Sequence, residues 1–401
     1  MKILVLCEYI KNFRELNSYR VRWLSAVAMA EKGHEIVFAS PSPISNGLSR
    51  THKMVNLTEA ISPGLFPKRL RVGGFSLLDA FFKTKIVIEH DFDVIYATNG
   101  HRIAQFIPCL IGKLIKKCII VNECWEWLGQ GGYADKRKKK IGKVVSFYDR
   151  CLELRVQPFF DHIFTITSTL KNRFKYKDNI TVLYGGAENL NLQIYNMGEV
   201  RKALQLDPDA FIIGMSNVVE ADHQDNHIFF KAFQKLFQEY PKIYLLVTGS
   251  DQAYIDKVKR MYRISQRVIF PGWIDFRTYN KYLSSCNVFV MPYPKNNINA
   301  GRWPNKIGDY LCLDRPIITN PTGDIGEIFK SFLLGFLCDD SPEGFYNTLK
   351  KIIENQISLK KASSDAQYLV TDHLSFDKRI DKIIQIFNEK VESDRYHRPH
   401  P

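Results

Sequence analysis

No two of the eight cysteines (Cys7, Cys109, Cys118, Cys124, Cys151, Cys286, Cys312 and Cys338) stand in a CxxC spacing. A zinc ribbon and a thioredoxin-type redox motif are therefore excluded. Several of these cysteines fall inside apolar, strand-like runs, which points to reduced, buried thiols of a cytoplasmic protein rather than a disulfide framework. No apolar stretch reaches the length of a membrane span. The opening MKILVLCEYI is too short for a signal core and reads as a first buried β-strand. The Gly-x-Gly-x-x-Gly turn of dinucleotide enzymes is missing, as is the His-Glu-x-x-His of metalloproteases. Nothing resembles a helix-turn-helix, a zinc finger or an aromatic RNA-binding signature, so nucleic acid is not an expected partner.

What is present is a soluble, basic chain: 401 residues, 45% hydrophobic and 24% charged, with a formal charge of +14. That length suits two domains, and the charge asks for an anionic partner such as nucleotide phosphates or lipid headgroups. Short apolar runs alternate with longer helix-forming stretches. The strands expected in the first half are Lys2–Leu6, Glu35–Ala39, Val94–Ala97, Ile119–Val121, Ile163–Ile166 and Thr181–Leu183. Those of the second half are Phe211–Met215, Ile243–Val247, Val268–Phe270, Val288–Met291, Pro316–Thr319 and Phe336–Cys338. Two βαβ series in tandem predict two doubly wound α/β domains. The expected division is 1–190, 191–372, a C-terminal helix over 373–395 packing back on the first domain, and a disordered tail over 396–401. Ser375 is the expected N-cap of that helix, with Phe376, Ile380, Ile383, Ile384 and Phe387 along one face.

The segment Asn299–Glu327, NAGRWPNKIGDYLCLDRPIITNPTGDIGE, carries the densest chemistry. Arg302 and Lys306 precede a carboxylate, Asp309; an apolar strand then leads to Gly323, Asp324 and Glu327. A guanidinium, an ammonium and helix N-termini are a means of holding phosphate. In the first half, Val121–Trp127 runs from a strand end into Glu123, Trp125, Glu126 and Trp127, where doubly wound sheets place their sites. Carboxylates there suit general-base work and tryptophans suit sugar stacking. His101 ends the preceding strand and is a second candidate. His223 and His227, with Asp222 and Asp225, have a ligand-like spacing but no third ligand, and read as a polar helix start. Lys136–Lys143, KRKKKIGK, flows into an apolar helix; it suits an anionic membrane surface or a solvated loop.

In order along the chain, Glu31–Glu35, Asp93–Tyr96, Asp161–Leu170, Arg267–Gly272 and Arg315–Ile318 resemble successive motifs of the GT-B glycosyltransferases. Within these, they resemble the retaining fourth family of nucleotide-sugar enzymes, of the bacterial surface-polysaccharide type. That resemblance implies two Rossmann-like domains facing a central cleft. It also implies sugar transfer, with retention, from a UDP- or GDP-linked donor to a glycan or lipid-linked acceptor, without a metal or other cofactor. Pro304, Lys306, Asp309, Tyr310, Leu311, Arg315 and Pro316 resemble a "P.K..eYla.grPvi" form. By it, Asp309 binds ribose, Lys306 and Arg302 meet the diphosphate, and Gly323, Asp324 and Glu327 lie near the donor. Glu123, Trp125 and Glu126 resemble a family form at the acceptor strand end. The family's usual Gly-Gly loop is replaced by Glu8–Asn17, leaving Asn17, Ser18 or Arg20 to substitute. Its Arg and Lys after the first strand of the second domain are replaced by SNVVEADHQDN over Ser216–Asn226. Two other readings follow from the same fold: a nucleotide-sugar 2-epimerase, or a degenerate, non-catalytic binding partner. The expected location is cytoplasmic, with peripheral contact to the inner membrane face.

Overall fold

The computed structural model describes residues 1–8, 20–41, 49–52, 56–62, 74–137, 140–175, 178–186, 194–218, 223–354 and 359–397. They form two compact units. The N-terminal unit comprises Met1–Gly185, Gly301–Trp303 and Phe376–Pro401; the C-terminal unit comprises Gly186–Ala300 and Pro304–Ser375.

The N-terminal sheet has eight strands: β1 (Lys2–Leu6), β2 (Glu35–Pro41), β3 (Ser49–His52), β4 (Leu57–Ser62), β5 (Val94–Thr98), β6 (Ile119–Cys124), β7 (His162–Thr165) and β8 (Ile180–Val182). Their order is β3-β4-β2-β1-β5-β6-β7-β8. All neighbours are parallel except the β3–β4 edge pair, which is antiparallel. Strands covered on both faces read as continuous apolar runs, which is why KILVL and VIYAT stand out. The first crossover helix, Arg20–Glu31, stops where Gly33 takes φ +89° and the amides of Gly33 and His34 bond back to Ala30 and Met29.

The C-terminal sheet is wholly parallel: β9 (Phe211–Ser216), β10 (Ile243–Thr248), β11 (Val268–Gly272), β12 (Val288–Met291), β13 (Ile317–Thr319) and β14 (Gly335–Leu337), in the order β11-β10-β9-β12-β13-β14. Its core centres on Phe229, Phe230 and Phe233 of the helix His223–Glu239, packed with Phe345 against Ile213, Leu245 and Val290.

The last helix, Phe376–His397, belongs to the N-terminal unit. Ile380, Ile383 and Phe387 are fully buried in its core, with Phe376 and Ile384 partly so. Phe387 meets Tyr96 and Phe164, ring to ring, at 5.4 and 6.4 Å. Tyr396 and His397 are helical, and residues 398–401 lie outside the described set. All eight cysteines are free thiols, buried except for the half-buried Cys151.

In each sheet the winding reverses beside the central strand: between β1 and β5 in the first, and between β9 and β12 in the second. A ligand approaching a doubly wound sheet finds its opening at the carboxyl ends of those strands.

Candidate active site

At the switch point of the C-terminal sheet, β9 ends on Ser216. Its backbone N–H and its hydroxyl each meet the Tyr310 hydroxyl at 2.8 Å, and its carbonyl accepts from Lys306 Nζ at 3.0 Å. Tyr310 lies flat on Phe289 of β12, rings 4.0 Å apart and 5° from parallel. The short helix Lys306–Cys312 is thereby pinned across β9 and β12, and Lys306 is set at their carboxyl ends. On the same helix, half-buried Asp309 accepts a hydrogen bond at 3.0 Å from the Tyr279 hydroxyl. Burial and the Asp309 charge raise the Tyr279 phenol well above its ordinary range, so it donates and the carboxylate accepts. Asp225 accepts from Asn299 Nδ2 at 3.1 Å.

Beyond β13, Gly323 has φ +56°, and a Cβ there would lie 2.8 Å from Ala300 Cα. Only glycine permits both the left-handed turn and that approach. It opens the helix Gly323–Ser331, in whose first turn Asp324 is buried. Glu327 is exposed and paired with Lys330 at 2.9 Å. Lys306 and Asp309 are thus brought together, and Glu327 is engaged in a surface pair apart from them.

Arg302 groups with the N-terminal unit. Next to it, Trp303 stacks on Tyr184 at 4.6 Å. The charge of Arg302 acts on Glu126, which follows β6. Burial, and then the neighbouring Glu8, raise the Glu126 carboxyl above its ordinary range; Arg22, Arg302 and Arg102 pull the other way. Glu8 itself is buried just past β1 and accepts from Asn99 Nδ2, Asn99 standing just past β5 at φ +50°. Glu8 and Asn99 therefore occupy the switch point of the first sheet, with Glu126 one strand over.

The other acceptor-side candidates are tied into the framework. Glu123 is buried, paired with Arg379 of the last helix, and accepts from the Tyr96 hydroxyl at 2.6 Å. His101 is buried with Nε2 3.0 Å from Asp149, which also takes Arg102 and Arg137. Trp125 is buried, with Arg22 4.9 Å and Arg379 5.7 Å from its ring. Trp127 is half-buried under Arg173 at 4.2 Å, its Nε1 donating to the Gln130 carbonyl.

Asn17, Ser18 and Asp222 lie outside the described residues, and of Arg20 and His223 only the backbone is described. His227 Nδ1 is bonded to the Tyr262 hydroxyl. Among the described residues no three His, Cys, Asp or Glu side chains are grouped to hold a metal. Sequence reasoning did not single out Glu8, Arg22, Ser216, Tyr279 or Arg379. The strand-end rule that found Glu126 also reaches Glu8 and Ser216; nothing local marks Arg379.

Residues 210–355 match the family model described as "Glycosyl transferases group 1". The chain is 20% identical over 319 residues to an uncharacterized glycosyltransferase of Methanocaldococcus jannaschii, covering 75% of this chain and 76% of that protein. It is 20% identical over 355 residues to the putative teichuronic acid biosynthesis glycosyltransferase TuaH of Bacillus subtilis, covering 84% and 85%. Among solved structures it resembles Anabaena HepE in complex with UDP-glucose, at a TM-score of 0.69 and 14% identity, over 97% of this chain and all of that one. The fold is the GT-B pair of Rossmann-like units, and the chain is a glycosyltransferase-like protein related to sugar-transfer enzymes.

Proposed function

We propose that the protein is a retaining glycosyltransferase. It takes a sugar from a UDP- or GDP-linked donor to a glycan or lipid-linked acceptor in cell-surface polysaccharide or glycoconjugate synthesis. The observation that carries this reading is Lys306 set on the Ser216 carbonyl, with Asp309 on the same helix, at a switch point inside the segment that matches the family model. The relatives support it by kind: one is a putative teichuronic acid glycosyltransferase, and HepE is a protein solved with UDP-glucose.

In this reading the donor belongs to the C-terminal unit. Lys306 faces the diphosphate and stabilises the charge that develops as the sugar–phosphate bond breaks. Asp309, oriented by Tyr279, accepts from the ribose hydroxyls. Gly323 and Asp324, with the helix amides they begin, border the sugar, and Glu327 marks the outer limit of that wall. The acceptor belongs to the N-terminal unit. Glu126 is the carboxylate that orients the attacking hydroxyl, with Arg302 beside it. Glu123 and His101 act through the framework, and Trp125 and Trp127 shape the acceptor surface. Attack from the face the diphosphate leaves yields retention without an enzyme nucleophile, the hydroxyl proton passing to the departing phosphate oxygen. No metal is required, since Lys306 and the amides supply the positive field. Peripheral contact with an anionic membrane, through the exposed Val144 and Phe147 of the helix Lys140–Leu152, suits a lipid-linked acceptor.

The test is calorimetry with UDP- and GDP-sugars. Lys306→Ala and Asp309→Ala are each expected to weaken donor binding about tenfold or more, the scale of a lost charge-assisted bond. Unchanged affinity in both removes this donor site. Incubating donor alone separates the epimerase reading, which requires an epimer to form without any acceptor.

A further inference from the structure

Within the C-terminal unit, the loops that follow β9, β12 and β13 meet. Asp225 lies in the first turn of the helix His223–Glu239 beyond β9, and Asn299 in the short helix Asn297–Ala300 beyond β12. Asn299 is 1% exposed. Its amide nitrogen uses both protons, on Asp225 Oδ2 at 3.1 Å and on the Pro294 carbonyl at 2.8 Å. Turning the amide over would forfeit both bonds, so its oxygen has one direction only. Among the described residues no donor reaches that oxygen, although it is buried. The surrounding chain fixes it in place. The Asn299 backbone N–H donates to Asn296 Oδ1 at 2.9 Å, and the Thr322 hydroxyl beyond β13 donates to the Tyr293 carbonyl beyond β12 at 2.6 Å. The next residue, Ala300, is the one that Gly323 approaches. A buried acceptor that finds no donor in the protein calls for one from outside the chain.

We infer that Asn299 and Asp225 select the donor sugar: they take one that offers hydroxyl protons and reject one that carries a carboxylate. This rests on the donor-site reading above, in which Gly323 and Asp324 border the sugar. The chemistry of the wall is one-sided. Asn299 Oδ1 and the Asp225 carboxylate accept hydrogen bonds, and sugar hydroxyls donate them. A site built to pair a hydroxyl discriminates strongly, because the wrong ligand leaves its buried acceptor unpaired. Charge acts in the same direction. Lys306, the cation of this donor site, is engaged on the Ser216 carbonyl at 3.0 Å. The stretch Ser216–Asn226, in which the resembling family carries an Arg and a Lys, brings an acid to the wall instead. A uronate would set its carboxylate against Asp225, and like charges so placed suppress the wrong partner.

The test is calorimetry of the full chain with UDP, UDP-glucose and UDP-glucuronate, and with GDP, GDP-mannose and GDP-mannuronate. Within each set the two sugars differ only in a hydroxymethyl or a carboxylate at C6. The neutral sugar is expected to bind about tenfold or more tightly than the uronate, the scale of one charge conflict. Asp225→Asn keeps the side chain's shape and its bond to Asn299 while removing the charge, and should shrink that ratio to about twofold. Asn299→Ala is expected to lower affinity for the neutral sugar about tenfold relative to the free nucleotide. Asp225 is half-buried in a helix turn, so its variant decides the matter where Asn299→Ala fails to fold. Uronate bound as well as or better than the neutral sugar, or a ratio unmoved by Asp225→Asn, overturns this inference alone and leaves the Asn299 oxygen to a water. Failure of UDP and GDP themselves to bind overturns the donor site, and this inference with it.

Discussion

Burial gives single side chains on this scaffold distinct electrostatic duties. His162 is buried between β7 and β8, with Nε2 3.1 Å from the Thr181 hydroxyl and Nδ1 unpartnered. Burial first, and then Lys390 and Lys382 of the last helix, lower its pKa to about 4. The unfolded ring titrates near about 6.5, so between those values the unfolded chain binds the proton and the folded chain does not. Its stabilising effect is complete above about 6.5 and is lost as pH falls to about 4, at most about 3 kcal/mol. Urea unfolding over that range should show the slope in the native chain and its loss in His162→Gln; equal slopes refute the assignment. Glu126 has the opposite sign. Its raised carboxyl favours the protonated form in the fold, so its contribution to stability is full below the ordinary carboxylate value and is lost as pH rises through the folded value. A group strained in that direction is a common mark of a working acid or base.

At the scale of elements, the Glu123–Arg379 pair decides how the last helix is held. Arg379 also donates to the Tyr184 carbonyl at 3.1 Å, and Tyr184 carries Trp303. One guanidinium thus braces the end of β6, the chain leaving β8 and the residue after Arg302. Both partners are almost fully buried, so Arg379→Met strands a carboxylate and is expected to cost about 3–5 kcal/mol in denaturant unfolding. The double variant Glu123→Gln with Arg379→Met should recover most of that; a double variant as unstable as the single one would refute the pairing. This contact joins residues 256 apart, which is why no sequence pattern revealed it, whereas Lys306 and Asp309 share one helix turn and could be read together. The same contrast holds for strands. The twelve expected strands were legible because parallel, doubly covered strands are apolar throughout. The polar edge strand β3 (SRTH) and its neighbour β4 (LTEAIS) carry no such signal. The helix Leu77–Glu89 was illegible because its apolar residues fill both faces and leave no helical periodicity.

At the scale of the whole molecule, the N-terminal unit is discontinuous. Ile380, Ile383, Ile386, Phe387 and Val391 complete its core, each contributing about 1.5–3 kcal/mol by burial. Together they approach the entire stability of an ordinary domain. A chain ending before Phe376 is expected to lose the N-terminal unfolding transition in calorimetry while keeping that of the C-terminal unit; two intact transitions would refute it. The consequence concerns synthesis. As the ribosome extends the polypeptide, the first sheet emerges early but stays without its cover until the final helix arrives. The second sheet has all its strands by Leu337, and the helix Pro342–Ile353 that closes its core follows at once, still ahead of Phe376. Assembly therefore runs against the usual order in which the amino-terminal domain finishes first. The half made last in time is the half whose strands were translated first, and until then its apolar face must be shielded from aggregation.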